Sequence, residues 1–387
     1  MRRVSCRTVT IVALMLAAGP AVLQAQVHQS IRLDLPVQPL ADSLRAVGLA
    51  SNTNIVFDPR LVAGITAPAF SGMVTAEEAL EQLLAGTRVR FKFVDEKTVS
   101  LMPARATGKS LYIAVLVKQL ELLCERLGVS MEPATRATAQ AYEANYETPL
   151  FVQRGLIPPT PTMHTQASSQ REPLVFSIGG WHGIRRFLVL RDVAGEDMES
   201  GDLHTPPFRF FANADAVFFM FDPLRVQTIR DQLRDLLPAQ QFSGGDPRSV
   251  LNNLLMAVGQ GQPKLAVILS KFDALRTLRN VEGSEWSMIM SNTGAAYLRD
   301  TSDSPRYDEL GGQLLHEEVR SLLTRLHGGA IVAAVENPST GIVLPHRYFV
   351  VSALGQPPSG NKLHSRGIAP FRCADPIRWV TSGFGVL

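Results

Sequence analysis

The residues with the clearest chemical potential are Gly108-Lys109-Ser110, which precede an apolar, helically spaced segment from Leu111 to Leu127. In a phosphate-binding loop, such a lysine reaches the β- and γ-phosphates and the serine hydroxyl ligates Mg²⁺. The loop also requires a glycine five residues before Gly108, where this chain has Pro103. Because proline lacks an N–H and restricts φ, we expect a damaged loop that binds nucleotide weakly and turns it over slowly or not at all.

A second motif, Asp192-Val193-Ala194-Gly195, follows the apolar segment Phe187–Leu190, which we predict to be a buried strand. An aspartate at this place would hold Mg²⁺ through water, and the Gly195 N–H would sense the γ-phosphate. Metal and phosphate contacts of this kind complement those of Lys109 and Ser110. The pattern therefore predicts a Mg²⁺ site at Ser110 and Asp192.

Two further motifs have the chemistry to recognise a guanine base. Ser270-Lys271-Phe272-Asp273 follows the apolar segment Leu265–Leu269, and Ser352-Ala353 follows Tyr348–Val351. The Asp273 carboxylate can accept from guanine N1 and N2 together, the Lys271 stem would lie along the base, and a backbone N–H at Ser352-Ala353 would bind O6. Each motif alone is more often an ordinary strand–helix junction. Together, in this order and at strand ends, they favour a nucleotide site, because ligands bind at that edge of an α/β sheet.

These motifs, with the Phe-Phe-Met-Phe-Asp-Pro segment at 218–223 and Asp-Pro-Ile-Arg-Trp at 375–379, make residues 104–387 resemble P-loop GTPases, in particular a bacterial double-GTPase type. The resemblance implies an α/β domain with a mostly parallel sheet and implies GTP and Mg²⁺ as ligands. It implies that Thr160 or Thr162 is a switch threonine closing on Mg²⁺, although a plain loop is an equal alternative. It places Glu196 where a water-orienting glutamine would act in catalysis.

The first hundred residues carry a different pattern. Ile31–Leu35 alternates as a strand does, Pro39 opens a helix, and Asn54–Phe57 is a short apolar strand. Thr75 and Glu78 form a capping box for a second helix. Alternating residues after Gly86 predict a closing hairpin, formed by Val89, Phe91, Phe93, Val99 and Leu101. The predicted order is two βαβ units in an α+β domain.

Residues 29–103 resemble the secretin and TonB N-terminus short domain of signal-transducing TonB-dependent receptors. The "LP-x-x-PL" entry, the Phe-Asp-Pro turn, the Glu-Glu-Ala-Leu helix entry and the Leu-Leu-x-Gly-Thr exit carry the likeness. The resemblance implies a periplasmic protein-interaction module without catalytic residues, with an anti-sigma-type regulator as its partner. A spacer with the same fold is the alternative.

The N-terminus has the composition of a signal peptide over residues 1–25. Three arginines precede an apolar run from Thr8 to Leu23, and Ala25 supplies a small residue for cleavage. An uncleaved anchor or a core helix is the alternative. Export implies a location in the periplasm or at the outer membrane, whereas a working GTPase would belong in the cytoplasm, where GTP is available.

Bulk composition excludes several classes of function. A net charge of +3 without a basic run argues against nucleic-acid binding. The histidines lack metal-ligand spacing, and no other stretch of the chain is apolar enough to span a membrane. Cys124 and Cys373 favour two unpaired core thiols over a disulfide.

The two halves compete for one strand. A GTPase needs a strand directly before its phosphate loop, and the candidate, Thr98–Met102, is already the last strand of the short domain. Either one strand serves both halves, or a gene fusion replaced the original strand. Two classes of function therefore remain: an exported signalling or interaction protein with a degenerate GTPase-like domain, and a GTP-binding switch with an incidental N-terminus.

Overall fold

The computed structural model describes residues 30–84, 87, 89–95, 97–103, 108–157, 172–181, 184–193, 197–198, 206–237, 246–300, 304, 306–356 and 363–384. The chain divides into two compact units, Met1–Pro103 (unit 1) and Ala104–Leu387 (unit 2). The predicted signal peptide lies outside the described residues. No helix within the described ranges is long and apolar enough to cross a membrane.

The described residues of unit 1 form seven short strands and three helices. They are β1 (Ile31–Leu35), β2 (Gln38–Pro39), α1 (Leu40–Ser51), β3 (Asn54–Val56), α2 (Pro59–Val62), β4 (Thr66–Ala67), β5 (Phe70–Val74), α3 (Ala76–Leu84), β6 (Val89–Asp95) and β7 (Thr98–Pro103). β1 pairs antiparallel with β5, β2 pairs antiparallel with β4, and a third sheet has the order β3-β7-β6. The longer elements follow the predicted order, whereas the short elements β2, α2 and β4 were not predicted.

The start of α3 confirms the predicted capping box. The Glu78 N–H donates to Thr75 Oγ1 over 3.2 Å, and the Thr75 N–H donates to Glu78 Oε2 over 2.8 Å. Because both groups would otherwise lack partners, this exchange defines where the helix begins. The helix then buries Leu80 and Leu84 against α1. Phe91, in the predicted hairpin, is half-buried and lies edge-on to Phe93.

Strand β7 belongs to unit 1. It runs parallel to β3 and antiparallel to β6 in the predicted hairpin, so both of its edges are paired inside that unit. The competition between the two halves for this strand is therefore decided in favour of unit 1. Among the described residues, unit 2 begins with helix α4 and not with a strand.

Unit 2 alternates strands with helices of varied length. Its main elements are α4 (Lys109–Arg126), β8 (Met131–Pro133), α5 (Arg136–Tyr142), a π-helix (Glu143–Val152), β9 (Leu174–Trp181), β10 (Ile184–Leu190), a 3-10 helix (Pro206–Asn213), β11 (Ala216–Phe221), α6 (Gln227–Leu233), α7 (Pro247–Val258), β12 (Lys264–Leu269), α8 (Phe272–Arg276), α9 (Glu285–Ser291), α10 (Glu309–Arg325), α11 (Gly329–Glu336), β13 (His346–Val350) and α12 (Asp375–Ser382). A shared apolar core contains buried residues from most of them.

The described strands of unit 2 form two small sheets, whereas we predicted a single, mostly parallel sheet. β11, β12 and β13 are parallel in that order, and β10, β9 and β8 are antiparallel. The helices between β11, β12 and β13 allow parallel pairing, whereas the short connection between β9 and β10 forces a hairpin. Within the described residues, no strand joins the two sheets.

Residues Phe187–Leu190 form a strand, as predicted, but the strand is not fully buried. The side chains of Phe187 and Val189 are 56% and 58% exposed. Leu188 and Leu190 pack against the core of unit 2. Successive side chains of a strand point to opposite faces, so a four-residue apolar run does not by itself show that both faces are covered.

The two described cysteines behave as predicted. Cys124 and Cys373 are buried and unpaired. Burial raises the pKa of Cys124 to about 11 and raises that of Cys373 further. Because the thiolate is the reactive form, both residues are inert packing groups at neutral pH.

Candidate functional site

The turn after β12 is bonded to both neighbouring strands. Both the N–H and the hydroxyl of Ser270 donate to the carbonyl oxygen of Phe221, over 2.8 and 2.9 Å. On the other side, the Phe272 N–H donates to Val351 O over 3.1 Å. Lys271 between them is left-handed, with φ 51°, a conformation that costs free energy in a residue other than glycine. The paired backbone on both sides compensates for that cost.

Asp273 and Ser352, predicted to read a guanine base, do come together. The Ser352 hydroxyl donates to Asp273 Oδ1 over 2.5 Å and accepts from the Gly355 N–H over 2.9 Å. Ser352 is fully buried, so its hydroxyl holds the carboxylate in one orientation. Ala353, which follows it, is half-buried. A fixed carboxylate is the group needed to accept from two adjacent N–H donors.

Sequence reasoning missed Asp222. Its carboxylate, 2% exposed, lies 2.9 Å from Lys271 Nζ and also accepts from the Leu224 N–H over 3.0 Å. The Asp-Pro pair directly after β11 was the available signal, because aspartate before proline at a strand end is typical of a helix cap. The ion pair directs the Lys271 stem toward β11.

At the other end of the candidate site, Ser110 and Asp192 also come together. The Ser110 hydroxyl donates to Asp192 Oδ2 over 2.8 Å, and both side chains are buried. Gly108 caps the N-terminus of α4 with φ 83°, and Lys109 is the first residue of that helix. Two residues beyond Ser110, Tyr112 packs against Phe218 of β11. Helix α4 is thus in contact with the parallel sheet.

Tyr146, on the π-helix, is a second residue that the sequence did not reveal. Its hydroxyl is hydrogen-bonded to Asp192, and its pKa is raised by burial first and by the Asp192 charge second. A neutral phenol donating to the carboxylate offsets the cost of burying that charge. No periodicity or motif marks Tyr146 as a partner of a residue 46 positions away.

The donors present suit a hard cation in type. Ser110 and Asp192 offer a hydroxyl and a carboxylate oxygen, which are the ligands that Mg²⁺ prefers. The described part of the chain holds no group of three or more His, Cys, Asp or Glu side chains placed to bind a metal ion. The remaining predicted residues lie outside the described residues: Thr160, Thr162, Gly195 and Glu196.

Unit 1 matches a known family model. The model described as "Secretin and TonB N terminus short domain" covers residues 53–104. The ferric-pyoverdine M114 receptor PbuA of Pseudomonas sp. (strain M114) is 32% identical over 126 residues, which are 33% of this chain and 14% of that receptor. The solution structure of the periplasmic signalling domain of the outer membrane iron transporter PupA from Pseudomonas putida is 29% identical and covers 20% of this chain and 93% of that domain, with a TM-score of 0.19. The family match supports the predicted short domain over residues 53–104.

A much closer relative reaches into unit 2. The "Putative ESX-1 scaffolding and assembly protein SaeC" of Mycolicibacterium smegmatis is 81% identical over 289 residues, which are 75% of this chain and 75% of that protein. A match of this length extends far beyond Pro103. The chain belongs to the SaeC family. The GTPase resemblance of unit 2, with its site residues, stays a prediction.

Proposed function

We propose that this chain is an assembly or signalling protein that works by binding other proteins, with a degenerate nucleotide site in unit 2. The observation that carries the proposal is the 81% identity to SaeC, whose name describes scaffolding and assembly. The short domain of unit 1 supports the same class of function. Neither observation requires catalysis.

Unit 1 is the proposed docking module for a protein regulator, of the anti-sigma type that the short domain implies. Apolar side chains remain outside its core, among them Leu49 at 85%, Met73 at 63% and Val56 at 50% exposure. In the exported form, the mature chain begins near Gln26 and acts in the periplasm. N-terminal sequencing together with cell fractionation tests this, and an intact Met1 on cytoplasmic material contradicts export.

Unit 2 is proposed to retain a weak guanine-nucleotide site. The oriented Asp273 carboxylate supports guanine over adenine, because adenine offers no matching pair of donors. Ser110 and Asp192 would hold Mg²⁺, which would neutralise phosphate charge when bound. The second candidate function, a GTP-dependent switch, is favoured by the same Ser110–Asp192 hydrogen bond, since it brings together two motifs 82 positions apart.

Calorimetry on the full chain separates a degenerate site from a switch. We expect weak binding of GTP and GDP with Mg²⁺, weaker binding of ATP, and little or no turnover. Pro103→Gly restores the glycine that a phosphate loop needs, and tighter GTP binding in this variant supports damage at the junction between the units. Micromolar GTP binding with steady turnover by the unaltered chain favours the switch. Equal affinity for ATP and GTP contradicts the role of Asp273.

A further inference from the structure

Strand β10 combines exposed apolar side chains with an outer edge to which no other strand in the described part of the chain pairs. Phe187 and Val189 are more than half exposed, and they alternate with two residues that face the core. Within the described residues, β9 is the only strand that pairs with β10. On the inner face of the same sheet, Leu174 and Phe176 of β9 are buried. The hairpin is therefore anchored on one face, and its β10 edge has no partner strand among the residues that the structure describes.

The opposite edge of this sheet is protected, which makes the contrast informative. Strand β8 has only three residues, includes Pro133, which lacks an N–H, and exposes Glu132. Proline, charge and short length are the usual ways in which proteins prevent an edge strand from pairing. β10 is longer and carries none of these features between Phe187 and Leu190.

The charged part of β10 lies at its beginning. Arg185 and Arg186 are exposed, and the pairing with β9 shifts register between them. The edge thus presents two positive charges followed by an apolar strand of high β-propensity. An added strand would meet the arginines at one end and the Phe187 and Val189 side chains along the rest.

We propose that this edge accepts an extended segment of a partner protein as an additional β-strand. The segment alternates apolar and polar residues and carries acidic residues where it passes Arg185 and Arg186. Main-chain hydrogen bonds supply affinity in this mode of recognition, and the alternating side chains supply specificity. The inference rests on the proposed interaction function and assigns part of it to a surface of unit 2.

An isolated exposed apolar residue would not support this inference, because such residues are common on protein surfaces. Leu310, for example, is 84% exposed, but it lies on helix α10, whose backbone is already hydrogen-bonded. Unlike the helix that carries Leu310, β10 offers an edge without a described partner strand together with exposed apolar side chains. Leu310→Ser is therefore a matched control for loss of an exposed apolar group.

The test uses the full chain and a fluorescein-labelled peptide, Glu-Glu-Val-Thr-Val-Thr-Val-Thr, measured by fluorescence anisotropy at low salt. We expect saturable binding, at least tenfold weaker binding of the peptide that begins Lys-Lys, and protection of amides 185–190 from hydrogen exchange. The double variant Phe187→Ser, Val189→Ser should weaken binding about tenfold or more. Leu310→Ser should bind as the parent does.

Three results overturn the inference. The first is the absence of saturable peptide binding. The second is equal binding by the parent and the double variant when the circular dichroism spectrum of the variant is unchanged. The third is self-association through β10 that the peptide does not displace, because the occupant would then be a second copy of this chain. Crosslinking in cells separates this inference from the proposed function. The interaction function fails if the parent chain forms no crosslinked protein complex. The β10 inference alone fails if the parent and the double variant form the same complexes.

Discussion

The two units differ in how far apart along the chain the residues joined by their key hydrogen bonds lie. In unit 1, the hydrogen bonds that start α3 join residues three positions apart. In unit 2, Ser110 bonds to Asp192 and Ser352 bonds to Asp273, across 82 and 79 positions. Unit 1 can therefore be derived largely from local patterns, whereas the site in unit 2 exists only once the strands are in place.

The largest expected effect is a loss of stability in unit 1. Leu80→Ala removes a fully buried side chain from α3 and should reduce the stability of unit 1 by about 2–5 kcal/mol, because a cavity remains. Hydrogen exchange at the amides of α1 and α3 in the intact chain measures this loss of stability. Leu49→Ala, on an exposed position of α1, is the control and should change stability by less than about 0.5 kcal/mol. Equal exchange in both variants would show that the packing of unit 1 is not as described.

The next effect concerns the long-range site in unit 2. Asp273→Asn should reduce guanine-nucleotide affinity by about 1.5–3 kcal/mol, because an amide cannot accept from both N1 and N2. Calorimetry with GDP measures this as a loss of about 10- to 150-fold. Asp231→Asn, an exposed aspartate on α6, is the matched control and should leave affinity unchanged. If both variants bind GDP like the parent, Asp273 does not contact the base.

Helix caps allow the same local interaction to be compared in both units. Thr75 accepts from the Glu78 N–H in unit 1, and Thr135 accepts from the Thr138 N–H over 3.0 Å in unit 2. Replacing either threonine by alanine should cost about 1 kcal/mol, measured by hydrogen exchange in the capped helix. Replacement by serine keeps the oxygen and should restore most of the loss. A large effect in one unit only would show that the caps depend on tertiary context.

The smallest expected effect is a pH dependence confined to unit 2. Burial lowers the pKa of His316 below its ordinary value, with His346 and Arg347 adding to the shift and Glu317 and Glu336 opposing it. Because the folded-state pKa is below the unfolded one, the neutral ring is favoured in the fold. Its contribution to stability is full above the unfolded pKa of about 6.5 and is lost as pH falls toward the folded pKa.

Tryptophan fluorescence reports this pH effect, since all three tryptophans lie in unit 2, and residues 30–103 contain no histidine. The denaturant concentration at the unfolding midpoint of unit 2 should decrease when the pH is lowered from 7.5 to 5.5. His316→Gln should flatten that dependence. A decrease of the same size in the variant would assign the effect to other groups.

Much of the fold could be predicted because its signals are local. The capping box at Thr75, the hairpin of β6 and β7 and the strands before Ser270 and Ser352 follow from residues within a few positions of one another. The Asp222–Lys271 ion pair and the Tyr146–Asp192 hydrogen bond could not be predicted. Each joins residues on separate elements, and neither residue type is unusual at its own position.

The amino-acid sequence by itself determined where the predicted helices and strands of unit 1 begin, which motif residues stand at strand ends, and the presence of the short domain. Backbone hydrogen bonds, caps and alternation of apolar residues act over a few positions, so the sequence contains them directly. Only the tertiary structure decided that β7 pairs within unit 1, that the described strands of unit 2 form two separate sheets, and that Phe187 and Val189 face outward. Strand pairing and the burial of a strand face depend on which distant elements pack against it, and a local pattern is compatible with more than one such arrangement.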